Sequence, residues 1–334
     1  MRVSRSSPSA EQVIALCSSV FDDPETHEAV RSIIENNLYG LDIDDRASQL
    51  AYFAVMMKAR KYDRRFLARK DENGNPDVPQ PMVYSVVESN GIYAYAIDYF
   101  TNGDPKLTAD MNRIIKEMND AKEYGSILRT SPIDFTGLYA RYADVCADIS
   151  ICRETVINEI YPLIRVAEML SQKYHIAITN PPYMGVSSAD ANLSKYVKKN
   201  FPDSKTDLFA VFIERCNQMT MDTGFTAMIT MHSWMFLPSY DELRGKLLLS
   251  NLCNMAHLGT RAFEEISGEV VQTTAFVYRK TRIDNYTSSF VRLVDYPSQK
   301  EKEDNFSILS NRFIQRTSLF KRIGGKICFM NPKR

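Results

Sequence analysis

Glycine is missing from the first part of this chain: the first of its 13 glycines is Gly40. Tight turns that bring several backbone N–H groups around an anion need glycine, because only glycine reaches those backbone conformations at little steric cost. Residues 1–39 therefore predict no glycine-built anion cradle. Any ligand that needs such a cradle would have to find it elsewhere.

Metal-binding and membrane signals are missing as well. The six cysteines form no Cys-x-x-Cys pair and the four histidines are far apart in the sequence, which predicts neither a zinc site nor a disulfide framework. This pattern is typical of a reducing cytoplasm. No signal peptide and no long apolar run is present, so the sequence predicts no contact with a membrane.

Excess charge of either sign is also absent, since 41 basic residues balance 41 acidic ones. This balance excludes nucleic-acid binding through bulk positive charge, although a local basic patch can still contact phosphates. With 44% hydrophobic and 25% charged residues in 334 positions, the chain is globular and has room for one large domain or two smaller ones.

The most informative stretch that is present runs from Tyr174 to Tyr183. Its apolar run Ile176–Ile178 predicts a buried strand, and the sequence Asn180–Pro181–Pro182–Tyr183 follows at once. Neither proline has a backbone N–H, so the strand cannot continue pairing there. We expect a stiff loop at the carboxyl end of a strand, which is where open α/β sheets bind ligands.

The residue types in this loop suit methylation of an exocyclic amine on a nucleobase. The amide oxygen of Asn180 and the carbonyl of Pro181 can both accept hydrogen bonds from that amine. Two acceptors would localise the nitrogen lone pair, and the attack then needs no general base. Tyr183 offers a face on which a flipped base can stack. The structural alternative is a Pro-Pro turn that begins with an asparagine.

A second strand ends in an acid. Leu38–Asp44 predicts a short strand, and Asp45 is placed to cap the helix that follows. A carboxylate at the end of such a strand can accept hydrogen bonds from ribose hydroxyls, which makes Asp42 the candidate. Ile43 would then lie against an adenine ring, and Glu88, after the predicted strand Met82–Glu88, would contact the same adenine. The alternative is an acid cluster that only caps the helix.

Two further features have simple structural explanations. The basic run 58–65 is best interpreted as a solvated helix end, with phosphate contact as the minority alternative. His232 follows the predicted strand Phe225–Thr230 and is interpreted as a packed residue rather than a catalyst. The predicted strands 252–258 and 270–278 complete an α/β sheet that closes on an antiparallel pair.

Three stretches of the sequence together resemble adenine-N6 DNA methyltransferases of the PglX family from BREX phage defence. They are residues 37–47 (NLYGLDIDDRA), 178–185 (ITNPPYMG) and 207–212 (DLFAVF). The resemblance covers about residues 31–280 and implies S-adenosylmethionine as cofactor, a Rossmann-like methyltransferase sheet and a flipped adenine in double-stranded DNA as substrate. It also implies other subunits of a defence system as partners. Asn180, Pro181, Pro182 and Tyr183 match the family's catalytic motif.

One departure from the family pattern has consequences for the fold. The family's Gly-x-Gly cofactor loop belongs before the Asp42 strand, and no glycine precedes Gly40. We therefore expect the first strand of the sheet, which normally lies between the strands ending at Asp42 and Asn180, to be missing. We also expect those two strands to share one sheet, with their carboxyl ends on the same edge.

The predicted organisation has five parts: an N-terminal helical segment (1–37), the first part of the sheet (38–104), a helical insertion (105–172), the second part of the sheet (173–285) and a C-terminal region (286–334). We expect this last part to be the start of a region that stops early. Two classes of function remain open. The first is an adenine-N6 methyltransferase that acts either alone or after joining a partner that carries the missing loop, and we expect the chain alone to be inactive. The second is a non-catalytic remnant or interaction subunit that retains only the substrate half of the site.

Overall fold

A computed structural model describes residues 26–263, 271–310, 320–323 and 326–329. The first 25 residues of the predicted N-terminal helical segment lie outside these ranges. The chain forms two compact units, residues 1–170 and 171–334.

The first unit contains a small parallel sheet with helices after it. The strands are β1 (Tyr39–Asp42) and β2 (Met82–Ser85), which pair in parallel with Asp42 opposite Ser85. The helices are α1 (Thr26–Ser32, continued by a π-helical turn, Ile33–Asn37), α2 (Asp45–Tyr62), α3 (Ala94–Thr101), α4 (Pro105–Glu117), α5 (Phe135–Ala147) and α6 (Tyr161–Ser171). Shorter helical segments are Phe66–Ala68, Ala121–Tyr124, Gly125–Ile127, Arg153–Thr155 and the π-helical turn Val156–Ile160.

The cap of α2 differs by one residue from the prediction. The Asp44 carboxylate, and not that of Asp45, accepts hydrogen bonds from the backbone N–H groups of Arg46 and Ala47. Asp44 has the extended backbone that an N-cap requires, with ψ of 123°, whereas Asp45 is already helical. The strand therefore ends at Asp42, and only Ile43 and Asp44 separate it from the first residue of the helix.

The second unit is built on a five-stranded mixed sheet. Its strands lie in the order β3-β4-β6-β5-β7, and a separate hairpin, β8-β9, follows. The bounds are β3 (Tyr174–Thr179), β4 (Thr220–Met231), β5 (Asn251–Gly259), β6 (Thr273–Arg279), β7 (Ser289–Arg292), β8 (Phe320–Ile323) and β9 (Lys326–Phe329). Its helices are α7 (Ala191–Asn200), α8 (Leu208–Met219), α9 (Asp241–Leu247) and α10 (Gln299–Ser310), with 3₁₀ turns at Val186–Ser188, His232–Met235 and Pro238–Tyr240.

Strand direction brings four carboxyl ends to one edge of this sheet. β3 is parallel to β4, β6 is antiparallel to both β4 and β5, and β7 is parallel to β5. The carboxyl ends of β3, β4, β5 and β7 therefore meet at the same edge, where β6 begins. The α/β class and the closing antiparallel strand of the sequence prediction are confirmed.

One face of the sheet carries the core of the second unit. Phe209 and Ile213 of α8 pack there with Trp234, Phe276 and the aromatic ring of Tyr278, all of them buried. The Tyr278 hydroxyl donates to the carbonyl oxygen of Ile213 at 3.0 Å, so even the polar end of this buried ring has a partner.

The prediction that the Asp42 and Asn180 strands share one sheet is wrong. Among the described residues β1 pairs with β2 alone, and β3 belongs to the five-stranded sheet. Parallel strands belong to one sheet only if they pair directly or through intervening strands, and no described strand links β1 to β3. This agrees with the lack of a glycine-containing strand before Gly40.

The prediction that Ile176–Ile178 is a buried strand is also wrong in part. Ile176 is 59% exposed and Ile178 is 77% exposed, whereas Ala177 between them packs against the core. Side chains alternate between the two faces of a strand, and α8 covers only the face that carries Ala177. Ile176 pairs with Phe225, which is 38% exposed, so the uncovered face continues onto β4.

Two details at the end of the sheet differ from the sequence prediction. The sequence prediction omitted β7, which is only four residues long, and it began the preceding strand at Val270, whereas β6 begins at Thr273. Short strands give too few residues for an alternating pattern to be distinguished from a loop.

Gly224 lies near the start of β4, where the neighbouring atoms leave no room for a larger side chain. A Cβ at this position would lie 2.5 Å from the His175 carbonyl oxygen and 2.5 Å from Thr220 Cγ2. We expect Gly224→Ala to lower the free energy of unfolding by about 1–3 kcal/mol, because neither atom can move away cheaply. Thermal or urea unfolding followed by circular dichroism measures the change.

Gly137→Ala in α5 is the matched control. Its added methyl group would meet Leu107 Cδ2 at 3.5 Å, an ordinary contact. Alanine is favoured over glycine inside a helix by about 0.8–1 kcal/mol, so this variant should be neutral or more stable. Equal stability of the Gly224→Ala variant and the original chain would show that the approach of β3 to Gly224 is looser than described.

Candidate functional site

The loop after β3 exposes Asn180 and holds Tyr183 in place. Tyr183 packs edge-to-face against Phe209 of α8, with ring centroids 6.4 Å apart, and it is half-buried. Its hydroxyl donates to Asn180 Oδ1 at 3.3 Å. Burial raises the pKa of Tyr183 to about 12, so the hydroxyl keeps its proton at neutral pH and remains a donor.

Backbone pairing fixes the end of this loop. Leu208 N donates to the Met184 carbonyl at 2.9 Å and Val186 N donates to the Thr206 carbonyl at 3.1 Å, on either side of an antiparallel bridge between Gly185 and Asp207. The loop therefore rejoins the fold only two residues after Tyr183. A helix begins at the same point.

Asp207 links the loop to that helix. Its carboxylate accepts a hydrogen bond from Phe209 N at 3.2 Å and caps α8. Burial raises the pKa of Asp207, while hydrogen bonds from backbone N–H groups oppose the shift. One side chain thus positions both the helix that supports Tyr183 and the segment that closes the loop.

A ring cluster that sequence reasoning did not identify lies at the same edge of the sheet. His232, directly after β4, and His257 of β5 place Nδ1 and Nε2 2.9 Å apart. Phe236 lies against both rings, with centroids 5.4 Å from His232 and 6.0 Å from His257, and Phe236 is 45% exposed. Each histidine stands at the carboxyl end of a predicted strand, which is the signal that could have revealed the pair.

The histidine pair favours the neutral state. Burial, followed by the nearby positive charges of His232, Arg292 and Lys302, lowers the pKa of His257 to about 4. Burial alone lowers the pKa of His232. At neutral pH one imidazole donates its proton to the other, and the geometry leaves the direction of that bond open.

The predicted cofactor residues lie in the first unit, at the carboxyl ends of β1 and β2. Asp42 is exposed and its Oδ1 accepts a hydrogen bond from Asp44 N at 2.9 Å. Ile43 is 51% exposed. Its side chain lies beside Gly125, and a Cβ added to Gly125 would be 3.4 Å from Ile43 Cδ1. Because β1 and β2 are parallel, Asp42 and Ile43 lie at the edge of this small sheet where β2 also ends.

The predicted strand Met82–Glu88 is too long, because β2 ends at Ser85. Glu88 lies three residues beyond that end and lines a cavity of about 400 Å³. Lys122, Glu159 and the amides of Asn90 and Asn158 share its wall. Its neighbour Ser89 is buried, and the Ser89 hydroxyl donates to the Ile115 carbonyl at 2.6 Å. The structure thus places the predicted cofactor residues in the first unit and Asn180–Tyr183 in the second.

The described residues contain no group of three or more histidine, cysteine, aspartate or glutamate side chains arranged to hold a metal ion. Over the same ranges no helix is long and apolar enough to cross a membrane.

The fold and the strand-end loop define an α/β protein with a methyltransferase-like mixed sheet. Residues 36–261 match the Eco57I restriction-modification methylase family, and the chain belongs to that family. The solved structure of the ATP-dependent Type ISP restriction-modification enzyme LlaBIII bound to DNA shares the fold, with a TM-score of 0.52 and 10% identity over 97% of this chain and 19% of that one.

Two curated relatives confirm the resemblance to PglX proteins. The adenine-specific methyltransferase PglX of Lacticaseibacillus casei is 41% identical over 84% of this chain, and the adenine-specific methyltransferase BrxX of Escherichia coli O9:H4 is 36% identical over 89%. The aligned parts are 23% and 25% of those proteins. The chain therefore spans about a quarter of the length of the curated relatives that it matches.

The histidine pair predicts a pH dependence of stability. The pKa of His257 is lowered from 6.5 to about 4 on folding, so its contribution is complete above pH 6.5 and is lost as the pH falls to about 4. We expect the original chain to lose about 2–3 kcal/mol more stability than His257→Gln between pH 7.5 and pH 4. Glutamine can keep a hydrogen bond to His232 without titrating.

Urea unfolding at the two pH values measures this difference. His175→Gln, at an exposed position on β3, is the control and should keep the pH dependence of the original chain. If His257→Gln lost as much stability on acidification as the original chain, the pair would not be the titrating group.

Proposed function

We propose that this chain is the target-base half of an adenine-specific DNA methyltransferase that acts in restriction-modification or phage defence. The proposed methyl donor is S-adenosylmethionine, and the substrate is double-stranded DNA with a flipped adenine. The observation that carries the proposal is the exposed amide of Asn180 at the end of β3, whose oxygen accepts a hydrogen bond from the Tyr183 hydroxyl at 3.3 Å.

The chemistry needs an amine whose lone pair is available. The N6 nitrogen of adenine is a poor nucleophile because its lone pair is delocalised into the ring. An amide oxygen has two lone pairs, so Asn180 Oδ1 can accept from the Tyr183 hydroxyl and from the amine together. With the Pro181 carbonyl as second acceptor, the nitrogen would be drawn toward a tetrahedral shape, and its lone pair would become available to a methyl group supplied by S-adenosylmethionine. The surplus N6 proton is then lost to water.

Tyr183 has two roles in this proposal. Its ring face is the surface on which the flipped adenine stacks, and its hydroxyl orients the Asn180 amide. Support from Phe209 keeps the ring in one orientation. The two prolines, Pro181 and Pro182, restrict the backbone between these side chains.

The residues of the first unit fit one end of the cofactor. Asp42 is exposed at a strand end, as a carboxylate that binds ribose hydroxyls must be, and Ile43 offers an apolar surface for adenine. Glu88 lies at a cavity wall where the adenine edge would be read. S-adenosylmethionine would supply the electrophilic methyl group.

The methionine end of the cofactor has no matching cradle in this sequence. Its carboxylate needs backbone N–H groups that glycine brings close, and no glycine precedes Gly40. We infer that a stretch of polypeptide outside these 334 residues supplies this loop. The outer edge of β3, which pairs with no described strand, and the exposed side chains of Ile176 and Ile178 offer a place for it.

The alternative function is a non-catalytic remnant or interaction subunit. It is favoured by the separation of β1 and β3 into different sheets, because that separation leaves the two halves of the site on different supports. Adjacent genomic sequence distinguishes the two: an upstream reading frame that encodes the glycine-rich strand favours a split enzyme.

We expect the isolated chain to transfer no methyl group and to bind S-adenosylmethionine at roughly millimolar affinity or worse. Loss of the methionine cradle removes several kcal/mol of binding, and each 1.4 kcal/mol is about tenfold in affinity. Isothermal titration calorimetry and a labelled-methyl transfer assay with duplex DNA check this. Methylation of adenine by the purified chain alone would overturn it.

In a longer polypeptide that supplies the glycine-rich loop, we expect Asn180→Ala to lower turnover by about 10²–10³-fold. The lost acceptor is most useful in the transition state, where its effect on turnover exceeds its effect on binding. Asn192→Ala, at an exposed position in α7, is the matched control. Unchanged turnover in the Asn180 variant would remove Asn180 from the chemistry.

Tyr183 variants in the same polypeptide separate its two roles. Tyr183→Ala should weaken base binding by about 1–3 kcal/mol of stacking, whereas Tyr183→Phe keeps the ring and loses only the hydrogen bond to Asn180. We expect Phe to leave binding of an adenine-containing duplex nearly intact and to lower turnover. Equal effects of the two substitutions would argue against stacking.

A further inference from the structure

A lysine-rich helix, α7, lies in the segment that follows the strand-end loop. Residues 186–206 leave the fold after Gly185 and return at Asp207, and these two residues pair with each other. The excursion contains α7. It begins three residues after Tyr183, and the Gly185–Asp207 bridge brings its far end back to the same place. Both ends of the segment that carries this helix are therefore anchored next to the loop that carries Asn180 and Tyr183.

The helix has one buried and one charged face. Leu193 is 9% exposed and Val197 is fully buried. Lys195, Lys198 and Lys199 are exposed. At about 100° per residue the three lysines fall within an arc of roughly 100° on the side opposite Leu193 and Val197, so they form a single face.

These positive charges are not neutralised within the described part of the protein. No carboxylate of that part forms an ion pair with Lys195, Lys198, Lys199 or the nearby exposed Lys205. Asp203, the acid next to Lys205 in this excursion, is held instead by Lys246 at 2.6 Å. A row of unpaired like charges destabilises a fold slightly, which favours an external anion as their partner.

The excursion is held rigidly. Phe201 and Ser204 are completely buried, and the Ser204 hydroxyl bonds to Glu214 of α8 at 2.9 Å. Lys246 bridges Glu214 and Asp203 at 2.9 and 2.6 Å. The segment that follows α7 is thus held to α8, the same helix that supports Tyr183 through Phe209.

We propose that the lysine face of α7 (Lys195, Lys198 and Lys199), with Lys205, binds the phosphates of the DNA strand next to the flipped adenine. From Lys195 to Lys199 the helix rises about 6 Å, which spans roughly two phosphates of one strand. Ammonium groups contact phosphates as point charges and carry no sequence information, so this face positions the duplex while other residues read the site. The proposal rests on the proposed function.

The test is the salt dependence of DNA binding by the full 334-residue chain. Fluorescence anisotropy with a labelled 20-base-pair duplex at increasing KCl gives the slope of log affinity against log salt. Each lost phosphate contact lowers this slope by about 0.9, so replacing Lys195, Lys198 and Lys199 with glutamine should reduce it by about 2–3. Affinity at low salt should fall about tenfold or more.

Two controls separate position from net charge. Replacing Arg60, Lys61 and Arg64 with glutamine removes the same charge from exposed positions at the end of α2 and should leave the slope unchanged. Replacing the three α7 lysines with arginine should preserve it. Circular dichroism establishes that each variant is folded.

The proposal is overturned if the chain does not bind the duplex at low salt, if the α7 variant keeps the original slope, or if both glutamine triples lower the slope equally. It fails separately from the proposed function. An unchanged slope with Asn180-dependent methylation in the longer polypeptide removes only the lysine role, whereas a reduced slope without such methylation removes only the catalytic assignment.

Discussion

The organisation of the second unit depends on the loss of two consecutive backbone donors at the end of β3. Pro181 and Pro182 cannot extend the ladder to β4, so the chain must leave the sheet at Asn180. The fold recovers backbone pairing a few residues later, where Met184 and Val186 bond to the segment 206–208. A short exposed loop between two fixed points results, and it is stiff because both of its ends are held.

Support for this loop comes from the helix that begins where it ends. Asp207 caps α8, and the next turn of that helix presents Phe209 to Tyr183. Phe209 also belongs to the core on one face of the sheet. The orientation of Tyr183 is therefore coupled to core packing, and a change in that packing would reach the site without altering any of its residues.

The opposite face of the sheet has a different character. Ile176, Ile178 and Phe225 lie on it and are 59%, 77% and 38% exposed. Burial of an aliphatic or aromatic side chain is worth about 1.5–3 kcal/mol, and an exposed strand edge favours pairing with another chain. An apolar face beside an open edge is the surface expected where a sheet receives a further strand and helix, which fits a chain that spans about a quarter of its relatives.

The histidine pair shows how strand order creates a site from distant residues. His232 and His257 are 25 positions apart. His232 directly follows β4 and His257 lies in β5, and β6 separates these two strands. Their contact exists because β6 runs antiparallel and begins at the edge where β4 and β5 end. The His232 backbone N–H also donates to the Gln272 carbonyl at 2.9 Å, which ties this corner to the start of β6.

Local sequence alone determined that a short strand leads into Asp42 and that another strand stops before Pro181 and Pro182. An apolar run followed by two prolines defines the end of β3, and an acid three residues before the first residue of α2 defines the end of β1. Both features depend on backbone donors within a few residues. The adenine-methyltransferase resemblance followed from the same short stretches. These features involve no distant partner, so they could be predicted.

Tertiary structure alone decided which of these strands belong to the same sheet and which side chains are buried. The period of two in β3 is visible in the sequence, but whether a helix covers Ile178 depends on residues elsewhere in the chain. The separation of β1 from β3 has the same origin, because a parallel sheet forms only when every intervening strand is present. The lysine face of α7 gains its meaning from the pairing of Gly185 with Asp207, a contact between positions 22 residues apart, and no local pattern specifies that contact.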